Sequence, residues 1–121
     1  MSEATLYNKM LKEWVKRLGL TDWRIKLKIN CSPDDMPTEG VGCTQFTETT
    51  KCAYIYIIAP EFYGDRIIPF DGQEVLVHEL LHLKFALIQD VKDDLQERYV
   101  HQLLDDIARA LVDAKRDHYE V

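Results

Sequence analysis

The stretch DGQEVLVHELLHLKFALIQ, residues 71–89, determines how the rest of the chain is organised. Its apolar residues recur at steps of three and four, which predicts a helix with a continuous apolar stripe. The residues of this stripe are Val75, Leu76, Leu80, Leu83, Leu87 and Ile88. Asp71, followed three residues later by Glu74, is typical of a helix N-terminus, so we expect the helix to begin near Gly72 or Gln73.

Three polar residues lie within this helix, where His78, Glu79 and His82 form the pattern H-E-x-x-H. Histidines four residues apart lie on one face of a helix, so both rings can bind one metal ion at about 2.0–2.1 Å. Glu79 is rotated by about 100° from His78, which places it beside the ion, where it can accept a proton from a metal-bound water. Buried, unpaired imidazoles are costly unless a cation compensates them. The pattern therefore predicts a site for one zinc ion per chain.

The last predicted helix, from about residue 94 to residue 114, should supply a third ligand, because a catalytic zinc usually has three protein ligands and one open position. His101 and Glu97 both lie there, four residues apart on one side of the helix, and periodicity alone does not separate them. Asp105 follows His101 by one turn and can accept a hydrogen bond from a metal-bound imidazole. We therefore predict His101 as the third ligand and Glu97 as the alternative.

The other elements are predicted from the spacing of apolar residues and from turn-forming residues. Alternation of apolar and polar residues predicts three strands, of which the last two should form a hairpin around Thr49 and Thr50. In chain order the elements are a helix over 3–18, strands over 23–29, 41–48 and 51–59, the H-E-x-x-H helix, and a helix over 94–114. The residues predicted to be buried in the last helix are Val100, Leu103, Leu104, Ile107 and Leu111. We expect an α+β domain with a small, mainly antiparallel, three-stranded sheet.

Length and composition are typical of a single domain. The 121 residues are 46% hydrophobic, which is enough apolar material for one core. No run approaches the roughly 18 apolar residues of a membrane span, and the polar N-terminus has no signal-peptide pattern. Cys31, Cys43 and Cys52 form no C-x-x-C pair and are odd in number, which argues against a disulfide framework. We therefore expect one cytoplasmic domain over residues 1–121.

The net charge of −6 is unevenly distributed along the chain. Residues 1–30 hold seven Lys or Arg against three acids, and the remainder is acidic. This modest basic segment falls well short of the charge that nucleic-acid binding needs, so we do not expect direct binding to DNA or RNA.

Three stretches together resemble a known family. HELLH at residues 78–82, the strand AYIYIIA at residues 53–59 and HQLLDDIARAL at residues 101–111 are similar to small single-domain zincin metallopeptidases. These are the minigluzincin-like and phage-type HExxH proteins, with SprT-like proteins as a more distant comparison. In gluzincins the third ligand is a glutamate in an E-x-x-x-D pattern, where this chain has His101 and Asp105. The metzincin extension is absent, because Phe85 stands in place of its glycine.

The resemblance implies a zincin-like fold and hydrolysis of peptide bonds, with zinc-bound water as the nucleophile and Glu79 as the general base. We expect a peptide or protein substrate to bind along strand 51–59. Tyr63, in the loop after that strand, is a candidate for stabilising an oxyanion. Two alternatives stay open. One is a non-catalytic, zinc-stabilised interaction domain whose cleft binds a partner peptide or is blocked by a tail with His118 and Tyr119. The other is a zincin that acts on nucleic-acid-associated proteins.

Overall fold

The computed structural model describes residues 2–86 and 93–120, with only the backbone for residues 118–120. Within these ranges the chain forms three helices and one three-stranded sheet, which confirms the predicted α+β class. None of the helices in these ranges has the length and hydrophobicity that a membrane crossing requires. The elements are α1 (Glu3–Arg17), β1 (Arg24–Cys31), β2 (Gly42–Thr47), β3 (Cys52–Ile58), α2 (Gly72–Lys84) and α3 (Asp94–Glu120), with short 3-10 turns at Pro33–Asp35 and Pro60–Phe62.

Four residues named in the predictions lie outside what the structure describes. Leu87 and Ile88, the last two positions of the predicted apolar stripe, lie in the gap between α2 and α3. His118 and Tyr119, the candidate blocking residues, have undescribed side chains. The predictions made for these four residues therefore stay predictions.

β3 is the central strand of the sheet. It pairs with β2 in antiparallel fashion around a turn at residues 48–51, as the predicted hairpin requires, and Lys51 takes a positive φ of 53° in that turn. It pairs with β1 in parallel, with Arg24 opposite Cys52. The prediction of a mainly antiparallel sheet is therefore wrong for one of the two strand pairs. The reason is that the long segment 32–41 carries the chain from β1 across to the far side of β3.

This strand order changes where an extended peptide can pair with the sheet. Both sides of β3 are occupied by β1 and β2, so a peptide cannot pair along strand 51–59 as predicted. The edge strand that contacts α2 is β2. The N–H of Ile58 donates to the carbonyl oxygen of Val41 at 2.9 Å. Because hydrogen-bonded positions alternate along an antiparallel pair, the backbone N–H and C=O groups of Gly42 and Thr44 point away from β3.

α2 lies in the middle of the core, with most of its residues buried. Asp71 begins the helix as predicted, because its carboxylate accepts hydrogen bonds from the backbone N–H groups of Gln73 and Glu74. Burial of one large apolar side chain contributes about 1.5–3 kcal/mol, so the core rather than the cap holds this helix in place. The largest fully buried side chains are Ile55, Ile57, Leu76, Leu80, Val77 and Val112.

α3 packs on the core through a stripe that overlaps the predicted one, in which Val100, Ile107 and Leu111 are partly buried. Leu104 is buried, together with Ala108 and Val112, which the sequence analysis did not include. Leu103 was predicted to be buried but is 58% exposed. The buried residues recur at intervals of four from Leu104, on the side that faces the core. Consecutive helix positions are about 100° apart, so Leu103, next to Leu104, points toward solvent.

α3 also continues beyond its predicted end at Ala114 to Glu120. The guanidinium group of Arg116 donates to both carboxylate oxygens of Asp71, at 2.7 and 3.2 Å. This bidentate pair fastens the last turns of α3 to the first turn of α2. The predicted end was wrong because nothing local to the sequence signals a contact with a residue so distant in the chain.

A second set of contacts joins this part of α3 to α1. Lys115 Nζ donates to Gln73 Oε1 at 2.7 Å and lies 2.8 Å from Glu13 Oε2. Trp14 Nε1 donates to the same Gln73 oxygen at 2.8 Å. Donors therefore face acceptors throughout this group. We call it the anchor cluster, and its members are Glu13, Trp14, Asp71, Gln73, Lys115 and Arg116.

Candidate metal centre

Three histidines meet where α2 packs against α3, and we call them the histidine cluster. His78 and His82 lie one turn apart on α2, and His101 lies on α3. Nε2 of His78 is 3.2 Å from Nε2 of His82 and 3.3 Å from Nδ1 of His101. Each histidine offers a ring nitrogen within 4.8 Å of the other two. The three side chains are therefore close enough to hold one metal ion, as the sequence predicted.

The spacing of these nitrogens fits tetrahedral coordination. Ligand nitrogens at about 2.0–2.1 Å from zinc lie about 3.3 Å apart in a tetrahedral site. The two separations measured from His78 match this value. Imidazole nitrogens suit zinc and neighbouring transition metals, whereas calcium and magnesium require oxygen ligands. The donor set thus fits zinc or a neighbouring transition metal, and the two separations from His78 fit a tetrahedral site.

Asp105 contacts His78 rather than the predicted partner, His101. Its Oδ1 lies 2.6 Å from Nδ1 of His78. Because a carboxylate can only accept, this contact favours a proton on Nδ1 and leaves the lone pair of Nε2 for a metal. The predicted partner was wrong because spacing along one helix pairs Asp105 with His101, whereas the contact depends on how α3 packs against α2.

Glu97, the alternative third ligand, lies on the outer side of His101. Its Oε1 is 4.0 Å from Nε2 of His101, while His101 turns Nδ1 toward His78. The side chain of Glu97 is 59% exposed. The structure thus brings His101 to the cluster and leaves Glu97 beside the far nitrogen of that ring.

Glu79 is buried next to the histidine cluster, with only 5% of the residue exposed. Its Oε2 lies 3.9 Å from Nε2 of His78. Its Oε1 accepts a hydrogen bond of 2.7 Å from the hydroxyl of Thr44 on β2. The carboxylate is therefore held at the edge of the cluster by the neighbouring strand.

Two residues of β2 position Glu79, and neither was predicted from the sequence. Thr44 supplies the hydrogen bond, and Gly42 supplies space, since a Cβ at position 42 would lie 2.6 Å from Glu79 Oε2. A glycine inside a strand pattern often marks a close approach, so Gly42 carried a usable signal. Thr44 carried none, because threonine is an ordinary strand residue.

Burial and neighbouring charges shift the pKa values in this site. Burial raises the pKa of Glu79, against the opposing effects of His78 and of the Thr44 hydroxyl. Burial disfavours the charged form of His78, but contact with Asp105 and the charge of Glu79 outweigh it and raise the pKa of His78. Burial and the nearby His78 lower the pKa of His101. A pKa raised by burial beside other ionisable groups is typical of functional sites.

A cleft of about 580 Å³ opens onto the histidine cluster and is lined by His78, Glu79 and His101. One wall is formed by residues 39–42, which lead into β2, and another by residues 66–69 of the loop before α2. Its volume lies within the usual range of about 300–1,000 Å³ for binding sites. A ligand of matching size can therefore reach the ring nitrogens of His78 and His101.

Tyr63 also lines this cleft, but its hydroxyl is used within its own loop. The hydroxyl donates to the carbonyl oxygen of Ile68 at 2.7 Å, and the ring stacks on Phe70 with centroids 5.4 Å apart. The guanidinium group of Arg66 lies 4.7 Å from the ring centroid. These contacts give Tyr63 a part in shaping the loop, and its role in stabilising an oxyanion stays a prediction.

A comparison of the chain with protein-family models gave no match, and comparisons with curated proteins and with solved structures gave none either. The resemblance to zincins therefore stays a prediction from the sequence motif.

Proposed function

We propose that this protein is a zinc-dependent metallopeptidase with a zincin-like fold. The observation that carries the proposal is the convergence of three ring nitrogens beside a buried glutamate, within a cleft. Three histidines alone would suit a structural metal site. The adjoining carboxylate, the access from the cleft and the position left open by a three-ligand set all favour hydrolysis.

Each part of the site has a defined task in the proposed reaction. A bound zinc ion would act as a Lewis acid, which brings the pKa of a coordinated water to about 7 and polarises the scissile carbonyl. The histidine cluster holds the ion, and Asp105 orients the ring of His78. Glu79 accepts the proton of the attacking water and donates it to the leaving amine nitrogen. Thr44 keeps the carboxylate in position for both transfers.

The substrate is proposed to bind as an additional strand, antiparallel to β2. The outward-facing backbone groups of Gly42 and Thr44 would pair with the main chain of the peptide. Gly42 lines the cleft, and its α-carbon passes close to the Glu79 carboxylate. Pairing at this edge would therefore bring a peptide bond to the general base.

Replacing Glu79 with Gln tests this proposal, because the change removes the base and spares the three ligands. Zinc content should persist, while cleavage of an unfolded protein should fall by roughly 10²- to 10⁴-fold. Glu74→Gln is the matched control, since Glu74 lies on the same helix, lines the same cleft and pairs with Arg109 at 3.7 Å. This variant should keep most of the activity.

Two results would contradict the proposal. Cleavage by Glu79→Gln at the wild-type rate would exclude Glu79 as the base. A wild-type protein that binds one zinc ion but cleaves no peptide or unfolded protein would instead favour the non-catalytic, zinc-stabilised domain.

A further inference from the structure

We propose that the outer face of the sheet binds single-stranded nucleic acid through a row of cations and a row of tyrosines. The helices cover the other face, where Ala53 and Ile55 are core residues and Ile25 packs against the core. Alternation along each strand turns the residues between these to the opposite side. We call that side the outer sheet face, and its members are Arg24, Lys26, Lys28, Cys43, Gln45, Thr47, Cys52, Tyr54 and Tyr56.

Strand pairing arranges the outer sheet face in three rows. β1 contributes cations, β3 contributes the tyrosines in the middle, and β2 contributes neutral residues. The register places Lys26 beside Tyr54 and Lys28 beside Tyr56. On the other side of β3, Gln45 lies beside Tyr54. Neighbouring strands are about 4.8 Å apart, so each tyrosine has a cation within one strand spacing.

The charge of the outer sheet face is opposite to that of the whole chain. Its members include three cations and no Asp or Glu, whereas the chain has a net charge of −6. None of these three cations forms an ion pair with a carboxylate among the described residues. The cations that do form such pairs include Arg17, Lys51, Arg109, Lys115 and Arg116. The row on β1 is therefore available to an anionic ligand.

The two tyrosines present the faces of their rings. Lys28 Nζ lies over both rings, 5.8 Å from the centroid of Tyr54 and 5.4 Å from that of Tyr56. A cation can lie over a ring face only where nothing else covers that face. Met36 packs with Cys43 at one end of the outer sheet face, while Tyr54 remains 43% exposed. A planar base can therefore stack on these rings, and Lys28 then turns toward a phosphate.

This combination of rows favours single-stranded nucleic acid over other polyanions. Binding of single strands without sequence preference typically combines cations that follow the backbone with aromatic rings on which successive bases stack. In a duplex the bases are already stacked on one another, and an acidic peptide has no planar group in each residue. On this sheet, phosphates would follow β1, bases would stack on the tyrosines, and base edges would approach Gln45.

Direct binding to nucleic acid was not expected from the sequence, because charges were counted along the chain. Residues 1–30 hold seven Lys or Arg, which are divided between α1 and β1. The pairing of β1 with β3 brings three of them beside tyrosines from a distant part of the chain. The outer sheet face lies away from the cleft, so this inference does not rest on the proposed function.

Fluorescence anisotropy of labelled oligothymidylate and oligouridylate, each about 12 nucleotides long, tests the inference with the intact, zinc-loaded protein. For single strands, the logarithm of the affinity falls with the logarithm of the salt concentration by about 0.7 per neutralised phosphate. A row of three cations should therefore give a slope of about −2.

Two pairs of variants separate stacking from charge. Tyr54→Ala should weaken binding roughly 5- to 150-fold without changing the slope, while its matched control, Tyr54→Phe, keeps the ring and should bind like the wild type. Lys26→Gln should reduce the slope by about 0.7. Lys12→Gln is the matched control for Lys26→Gln, because Lys12 is an exposed lysine on α1. Far-UV circular dichroism checks that each variant is folded.

Salt-dependent binding that is weakened by Tyr54→Ala and kept in Tyr54→Phe supports the inference. It is overturned if neither oligonucleotide binds, if Tyr54→Ala binds as tightly as the wild type, or if Lys12→Gln changes the slope as much as Lys26→Gln. Tighter binding of a duplex, or equal competition by polyglutamate, also overturns it, because neither ligand can stack on the tyrosines. Glu79→Gln should bind like the wild type, so each outcome is distinguishable from failure of the proposed peptidase activity.

Discussion

The histidine cluster and the anchor cluster both join α2 to α3, but their polar groups are arranged in opposite ways. In the anchor cluster, Lys115 donates to Gln73, and Arg116 donates to Asp71. In the histidine cluster, ring nitrogens face ring nitrogens at 3.2 and 3.3 Å. Asp105 sits on the other nitrogen of His78, which directs a lone pair into the group.

This difference separates a structural brace from a binding site. A cluster in which donors meet acceptors is complete by itself and stabilises the fold. A cluster of histidine rings in which either nitrogen can be donor or acceptor can instead turn its lone pairs toward a cation, which then contributes interaction energy with all three rings. Both clusters appear in the sequence as polar residues scattered among apolar ones, so composition alone does not distinguish them.

Loss of His101 should have the largest effect that separates the two clusters. His101→Ala should weaken zinc binding by more than the roughly 10- to 100-fold typical of losing a partner of a ligand. Lys115→Met should leave zinc affinity unchanged, because it alters only the anchor cluster. Competition with a chromophoric chelator measures both. Comparable zinc affinity in the two variants would show that the histidine cluster is not the metal site.

Glu97→Gln should lower the zinc affinity far less than His101→Ala does, since Glu97 lies only beside the outer nitrogen of the His101 ring.

Loss of Asp105 should have the next largest effect. Asp105→Ala removes the carboxylate that orients His78, so zinc affinity should fall roughly 10- to 100-fold. Asp106→Ala is the matched control, because this neighbouring aspartate is exposed on α3. If both substitutions change the affinity equally, the effect comes from net charge rather than from the contact with His78.

In the metal-free protein, Lys115→Met should lower the free energy of unfolding more than His101→Ala does, which reverses their order for zinc affinity. Lys115→Met removes charged hydrogen bonds from a side chain that is only 14% exposed, so the free energy of unfolding should fall by about 1–2 kcal/mol. His101→Ala should cost less, because it separates nitrogens that face one another. Urea unfolding in the presence of a chelator measures both values. A larger loss in His101→Ala would mean that the histidines brace the fold without metal.

The smallest effect should appear in acid, through Asp71. Burial opposes ionisation of this carboxyl, but Arg116 and the backbone N–H groups at the start of α2 outweigh burial and lower the pKa of Asp71. A carboxyl whose pKa is lowered by folding adds stability above its unfolded value of about 3.9, and this stability is lost as the pH falls through the folded value.

Arg116→Gln should therefore reduce the stability at neutral pH and lose less of it on acidification than the wild type does. Urea unfolding at about pH 7 and about pH 3 would reveal the difference. Arg24→Gln, on the exposed face of β1, controls for the loss of one positive charge. If acidification lowers the free energy of unfolding equally in the wild type and in Arg116→Gln, the pair between Arg116 and Asp71 is not the source of the acid sensitivity.

Local patterns predicted local structure well. The start of α2 follows from Asp71, and β1 shows the predicted alternation between exposed and partly buried residues. The errors concern arrangement instead: the parallel pairing of β1, the exposure of Leu103 and the length of α3. Each depends on contacts between residues far apart in the chain, such as the pair between Arg116 and Asp71.

The same division holds within the candidate site. The proximity of His78 and His82 was predictable from their spacing. Position on the closing helix did not separate His101 from Glu97, and the preference for His101 rested on Asp105, which contacts His78 instead. Thr44 and Gly42 were missed because they approach Glu79 only after β2 packs against α2.

The sequence by itself determined that two imidazoles and a carboxylate share one buried helix, because side-chain directions along a helix follow from its backbone period alone. Only the tertiary structure decided that His101 rather than Glu97 joins the other histidines, that Asp105 contacts His78, and that β2 rather than β3 forms the edge beside Glu79. Each of these outcomes depends on how α3 and β2 are rotated and shifted relative to α2. Turning a helix by one residue, about 100°, presents a different side chain, and the packing of the whole core selects the rotation.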